Sequence, residues 1–176
     1  VLRFAGPNLI IDVGKTEAIM PVSEQISPEK YHVNQRFSVY LVEIREGTRG
    51  QELLVSRANS GLLEGLFRRE VPEIAQGSVV IKKIAREPGI RAKIAVAATA
   101  PGIDPVGSCV GQKGVRVQAV IQEFAGIEKI DVIPWQENEE EFIALALSPA
   151  KNVKVTLNKD THTAIAEVPQ SDLSAA

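Results

Sequence analysis

Apolar and polar positions alternate through the first third of the chain and then change to a helical period. Leu9–Val13 is a β-rich run, Ala18–Met20 is stopped by Pro21, and Phe37–Val42 and Glu52–Ser56 alternate. Turn residues separate them at Gly6-Pro7-Asn8 and at Glu46-Gly47-Thr48-Arg49-Gly50. Near Asn59 the period changes. Leu62, Leu63, Leu66 and Phe67 form one helical stripe that Asn59 or Ser60 can cap. Pro72 ends that helix or starts a second short one, and Gly77 is suited to close the segment. Two basic strands follow at Ser78–Ile84 and Arg91–Ala97. An amphipathic helix carrying Val117, Val120, Ile121 and Phe124 comes next, then a strand at Lys129–Pro134.

The pattern then repeats in outline. A helix with Phe142, Ile143, Leu145 and Ala146 stops near Pro149. Asn152–Leu157 and Thr163–Val168 read as strands around an Asn158-Lys159-Asp160 turn. Ser171–Ala176 reads as the start of a helix, where the first copy has Pro105–Val110. An imperfect repeat of about 75 residues predicts two copies of one small αβ unit. The expected class is α+β. A small barrel of the OB type occupies residues 1–58, a complete αβ unit 59–136, and the first part of a second unit 137–176. The chain opens inside an alternating strand and closes on a helix start, so it reads as a piece of a longer protein.

One stretch in the first αβ unit carries chemistry. Gly111-Gln112-Lys113-Gly114 is a GxxG loop placed directly before the amphipathic helix. Backbone N–H groups point outward at a helix N-terminus, and the helix dipole favours an anion there. Glycine lets a phosphodiester approach the backbone without a Cβ in the way. Lys113 adds a positive charge at the tip. KH domains clamp the backbone of about four nucleotides in this way. A glycine pair before a helix is also a common entry turn, so the loop gains its meaning from its neighbours. Helix, strand, strand, GxxG helix, strand is the order of a prokaryotic-type (type II) KH domain. The expected RNA-contacting set is Val110, Gly111, Gln112, Lys113, Gly114 and Arg116, with bases turned toward an apolar groove beside Val110 and Val117. Arg86 and Arg91 flank the Pro88-Gly89 turn and are further candidates for phosphate contact.

Charge supports this division. The net charge of −2 conceals a middle segment, 77–136, with 8 basic and 5 acidic residues, and a final segment, 137–176, with 3 basic and 7 acidic. Only the middle segment suits a polyanion, and its surplus is modest. Aromatics are scarce, so the core is built from Val, Ile, Leu and Ala. Phe4, Tyr31, Phe37, Tyr40 and Arg36 could supply a base-stacking face in the barrel, although a small barrel needs most of its aromatics inside. Cys109 has no cysteine partner and sits beside Val110, which favours packing.

Other motifs dissolve on inspection. Asp12-Val13-Gly14-Lys15-Thr16 ends like a P-loop, but Leu9 stands where the first glycine is required and Pro21 leaves no room for the helix. Gly14 is read as a turn between strands. His32 and His162 have no ligand-spaced neighbours, so no metal or other cofactor is expected. Glu137-Asn138-Glu139-Glu140-Glu141 reads as an acidic first helical turn. No catalytic constellation is visible, so no enzymatic activity is expected, and no apolar stretch approaches the ~20 residues that span a membrane.

Several longer motifs are more specific. They are Leu66-Phe67 with Glu70-Val71-Pro72-Glu73-Ile74, then Ala85-Arg86-Glu87-Pro88-Gly89, then Asp104-Pro105-Val106-Gly107 with Cys109-Val110-Gly111 and Gly114. Glu128-Lys129-Ile130-Asp131-Val132, Ala146-Leu147-Ser148-Pro149-Ala150 and Asp12-Val13-Gly14-Lys15-Thr16-Glu17-Ala18 add to them. With these the chain resembles the NusA family of bacterial transcription elongation, termination and antitermination factors over nearly its whole length. The resemblance implies an S-one-type OB barrel, a first KH domain and the start of a second. It implies binding to single-stranded nascent RNA, action with RNA polymerase and other elongation or antitermination factors, and a cytoplasmic location. The clipped first strand, the missing second GxxG and the lack of clustered barrel aromatics are departures from that pattern. Two alternatives stand beside it. One is an accessory region of an RNA-processing enzyme such as a polynucleotide phosphorylase, where the KH precedes the barrel. The other is a protein-interaction scaffold in which GxxG is only a turn.

Overall fold

The computed structural model describes residues 1–47 and 50–172. It is a mixed α+β structure with three separate sheets.

The first sheet contains β1 (Arg3–Ala5), β2 (Asn8–Asp12), β3 (Glu17–Met20), β4 (Tyr40–Gly47) and β5 (Gly50–Ser56), in the order β1-β2-β3-β5-β4. β3 and β5 run parallel, and the other pairs are antiparallel. Leu9 faces Met20 and Ile11 faces Ala18 across the β2–β3 ladder. These four pack with Val55 into one small core. The β2–β3 turn is held by Asp12, whose Oδ1 accepts from Gly14 N at 2.8 Å. Gly14 has φ 105°, so it is a turn residue, as read from the sequence.

β4 starts at Tyr40, although alternation predicts a strand from Phe37. The backbone before Tyr40 is committed elsewhere. Ser38 N donates to Glu123 Oε1 (2.7 Å), and Ser38 O accepts from Arg57 Nη1 (2.8 Å). Groups bonded to side chains cannot also join a ladder.

The middle unit contains α1 (Ser60–Glu70), α2 (Pro72–Ala75), β6 (Val79–Glu87), β7 (Arg91–Ala98), α3 (Pro105–Val110), α4 (Val115–Glu123) and β8 (Lys129–Pro134). Asn59 caps α1, its Oδ1 accepting from Gly61 N at 2.8 Å. Gly77 closes the α2 segment at φ 79°. The sheet order is β6-β7-β8. β6 and β7 form an antiparallel pair, and β7 and β8 a parallel one. A parallel pair needs a long crossover, and α3 and α4 supply it. Leu62, Leu63, Leu66 and Phe67 of α1 meet Ile94 and Val96 of β7, Val117 and Val120 of α4 and Phe124 just after it in one core. Cys109 of α3 is fully buried in it, as its apolar neighbour predicted.

The core of this unit also takes in Ile26, from the segment between β3 and β4. Gly89, at the tip of the β6–β7 hairpin, lies against that segment. A Cβ there would stand 2.4 Å from Ile26 Cγ2 and 2.9 Å from Pro28 Cδ. Arg57, at the end of the first sheet, is fully buried and reaches both sides of the joint. It pairs with Glu29 at 2.6 Å and donates to Glu123 O at 2.8 Å.

The last part contains α5 (Glu139–Ala146) and the antiparallel pair β9 (Lys154–Asn158) and β10 (Thr163–Glu167). Asn138 caps α5, and Glu139, Glu140 and Glu141 fill its first turn. No described residue from 136 to 172 is buried. A helix and a hairpin are too small to enclose a core. The segment instead leans on the middle unit. Trp135 and Phe142 rings lie 4.7 Å apart, and Lys93 Nζ donates to Ala146 O and to Ser148 O. Of the helix expected at Ser171–Ala176, Gln170–Asp172 forms a short 3-10 turn, and 173–176 lie outside the described residues.

Candidate nucleic-acid interface

Asp104 starts the site. Its Oδ1 accepts from Val106 N (3.1 Å) and Gly107 N (3.0 Å), capping α3, with Pro105 at the first helical position. A Cβ at Gly107 would meet Asp104 Oδ2, so a larger residue there would push the capping carboxylate aside. α3 ends at Gly111, whose N donates to Gly107 O at 2.9 Å and whose φ is 75°. Lys113 follows at φ 53° and Gly114 at φ 77°. Three residues of positive φ in four make a sharp reversal, and α4 begins directly after it.

The loop therefore joins the C-terminal end of α3 to the N-terminal end of α4. No side chain caps α4 at Gly114. Gln112 and Lys113 are exposed at the tip, and Gly111 and Gly114 are partly exposed. The positive end of the α4 dipole and the Lys113 ammonium face solvent together. Beside them lies an open concavity of ≈ 670 Å³, lined by Ile103, Gly107, Gly111, Gln112, Val115 and Arg116 among others. Asp104 and Glu73 also border it. Both carboxylates are engaged, Asp104 in its cap and Glu73 with Arg116 at 2.9 Å.

Arg116 supports the loop from behind. Its Nη1 donates to Ser108 O at 2.6 Å as well as to Glu73 Oε2. A Cβ at Gly111 would sit 2.8 Å from Arg116 Cγ. The apolar surface at the loop is Val115, 63% exposed, and not Val117, which is 8% exposed and belongs to the core. The groove expected beside Val117 is corrected accordingly: the first residue of α4, Val115, faces the loop, and the third, Val117, belongs to the core.

Of the predicted site residues, Val110, Gly111, Gln112, Lys113, Gly114 and Arg116 are contiguous at this loop. Arg86 and Arg91 are not. β7 runs from Arg91 toward Ala98, which leads into α3, so the hairpin lies at the opposite end of the sheet. Arg86 flanks the hairpin turn, which makes it a candidate for phosphate contact by sequence. Its side chain is 1% exposed and paired with the fully buried Glu128, which leaves it no surface for a phosphate. Arg91 is partly exposed and paired with Asp131 at 2.8 Å.

Glu73 and the Ser108 carbonyl are the supporting groups that the sequence reading did not single out. A glutamate after a proline at a helix start looks like an ordinary first-turn acid, and no local signal ties it to Arg116. Burial pushes the Cys109 thiol up to about 11. Among the aromatics of residues 1–58, Phe4 and Tyr40 are exposed on the edge strands β1 and β4. Tyr31 and Phe37 meet edge to face at 5.5 Å against the small core. Among the described residues no group of three or more His, Cys, Asp or Glu side chains is placed to hold a metal. None of their helices is long and apolar enough to cross a membrane.

A hairpin, a glycine-bracketed loop between two helices and a third strand parallel to the second are the parts of a KH domain. Residues 57–135 match the family described as the NusA-like first KH domain. The chain is also similar to proteins named transcription termination/antitermination protein NusA. It is 46% identical over 168 residues to that of Halalkalibacterium halodurans, covering 96% of this chain and 44% of the relative. It is 48% identical over 169 residues to that of Thermus thermophilus, covering 96% and 43%. It is 44% identical over 176 residues to that of Bacillus subtilis, covering 100% and 47%. The chain belongs to the NusA family, and it spans less than half the length of these relatives.

Proposed function

We propose that this chain is the RNA-binding region of a bacterial transcription factor, and that it contacts single-stranded nascent RNA through the loop Gly111–Gly114. One observation carries the reading: two glycines and Lys113 at positive φ open an uncapped helix N-terminus beside an exposed ammonium. A phosphate placed there meets outward N–H groups, a favourable dipole and a positive charge. The relatives' names point to termination and antitermination. In the parent protein, RNA held here would bias RNA polymerase among pausing, termination and antitermination, alongside other elongation factors. That work belongs in the cytoplasm, where the transcript is made. The role is one of binding and not of catalysis.

The flanking parts fit the same reading. The order β1-β2-β3-β5-β4 with β3 parallel to β5 is the strand order of an S-one-type OB barrel, which supports that assignment for residues 1–58. α5, β9 and β10 repeat α1, β6 and β7 in order, which supports a second, incomplete KH domain from residue 137.

The test is the double variant Gln112→Asp/Lys113→Asp. Both side chains are exposed, so the core is untouched. Two carboxylates then face the phosphate and the lysine contact is gone. Affinity for short single-stranded RNA is expected to fall at least about tenfold, roughly 1.4 kcal/mol. A folded variant that binds as well as the unaltered chain would return the loop to a mere turn and favour a protein-interaction scaffold.

A further inference from the structure

Arg116, in the first turn of α4, ties together the segments that meet at the loop. Its Nη1 holds Ser108 O in the last turn of α3, its stem packs against Gly111, and its guanidinium reaches Glu73 in α2. Glu73 comes from 43 residues earlier in the chain. It is itself held in place. It sits in the first turn of α2, and a bond to its own backbone N–H, helped by Arg116, keeps its carboxyl below the usual carboxylate range. A short helix outside the loop thus fixes the side chain on which the loop rests.

We infer that Glu73 is a positioning residue for the RNA site, holding Arg116 so that α3, Gly111 and α4 keep the separation that aims the loop at a phosphate. The inference rests on the loop reading above. Left-handed residues such as Lys113 keep their conformation only where the surroundings over-determine it. The Glu73–Arg116 pair is one such determinant. Each side chain is 31% exposed, so the pair contributes little to global stability. Its effect is local, on a geometry that binding depends on.

Glu73 acts on RNA in two ways of opposite sign, which makes the inference testable. As a charge bordering the concavity it repels phosphate, so Glu73→Gln would strengthen binding. As a positioner it steadies the loop, so the same change weakens binding. Glu73→Asp separates the two further, because it keeps the charge but is one methylene too short to hold Arg116.

The experiment titrates a fluorescein-labelled single-stranded RNA decamer with the full chain and with Glu73→Gln, Glu73→Asp and Gln112→Asp/Lys113→Asp. Amide hydrogen exchange at residues 111–115 and thermal unfolding are measured in parallel. Both Glu73 variants are expected to bind about fivefold more weakly, with faster exchange at the loop and a nearly unchanged melting temperature. If Glu73→Gln binds as well as or better than the unaltered chain while the double aspartate variant loses binding, Glu73 is only a nearby charge. The inference then falls and the loop reading stands. If the double aspartate variant binds normally, the loop reading fails and takes the inference with it.

Discussion

Arg86 and Glu128 form a buried bidentate pair, with Nε and Nη2 of the arginine 2.7 and 2.9 Å from the two carboxylate oxygens. Neither has spare bonding capacity in the direction of solvent. Glu128 Oε2 also accepts from Gly89 N at 3.0 Å, and Arg86 Nη1 donates to Asn59 O at 2.8 Å and Ala58 O at 3.2 Å. The guanidinium lies 4.8 Å from the centroid of the buried Phe124 ring. The pair therefore joins the β6–β7 hairpin, the entry to β8 and the segment that enters α1.

Breaking this pair from one side leaves a buried charge alone. Arg86→Met or Glu128→Gln is expected to cost about 3–5 kcal/mol in urea unfolding. The double change Arg86→Met/Glu128→Leu should recover part of that loss, because it leaves no buried charge alone, while Gly89 N–H and the Ala58 and Asn59 carbonyls still lose the partners they had. A double variant as unstable as either single one would contradict this account.

Ile26 fills the core of the KH unit although it belongs to the segment between β3 and β4. Ile26→Ala is expected to destabilise the KH unit by about 2–5 kcal/mol. An excised fragment of residues 57–136 should unfold at lower urea than the same residues within the full chain. Circular dichroism of the two samples settles the point, and equal midpoints would show that the joint contributes nothing.

Cys109 is fully buried, with its thiol pushed up from 9.0 to about 11 by burial. Native iodoacetamide labelling at pH 8 should be far slower than labelling in urea. The folded state keeps its proton between pH 9 and 11 while the unfolded thiol loses its own, so stability falls as pH rises through that window. Labelling at the rate of a free thiol would show that α3 is not seated as described.

On the proposed loop contact, Lys113 offers one point charge to the backbone of the RNA. Lys113→Ala should weaken binding uniformly across RNA sequences. The plot of log affinity against log salt should become shallower by about 0.7, the value for one single-strand phosphate contact. A change that depended on base sequence would place Lys113 against a base instead.

Lys93 donates to the C-terminal carbonyls of α5, where a cation is favoured by the helix dipole. Lys93→Met is expected to make residues 137–172 the first site of limited proteolysis, with the KH unit left intact. Unchanged cleavage would mean that the Trp135–Phe142 contact holds this segment unaided.

The chain's local signals determined its elements and the position of its loop. The change from period 2 to period 3.6 at Asn59 marks the start of α1, Pro105–Val110 and Lys129–Pro134 form a helix and a strand at those bounds, and Gly111 and Gly114 lie where a left-handed backbone needs them. These depend on residues near one another in sequence, so periodicity and glycine placement suffice to reveal them. What each charge does was decided only by the tertiary structure. Arg86 and Arg91 look equivalent around one turn, yet Arg86 is buried against Glu128, 42 residues away, while Arg91 remains partly exposed beside Asp131. Glu73 looks like a helix-start acid until α4 brings Arg116 to it, and Phe37 looks like a strand residue until Glu123 and Arg57 claim the backbone of Ser38. The energy of a charge or a free backbone group depends on what folding places beside it, and neighbours tens of residues away leave no periodic trace in the chain.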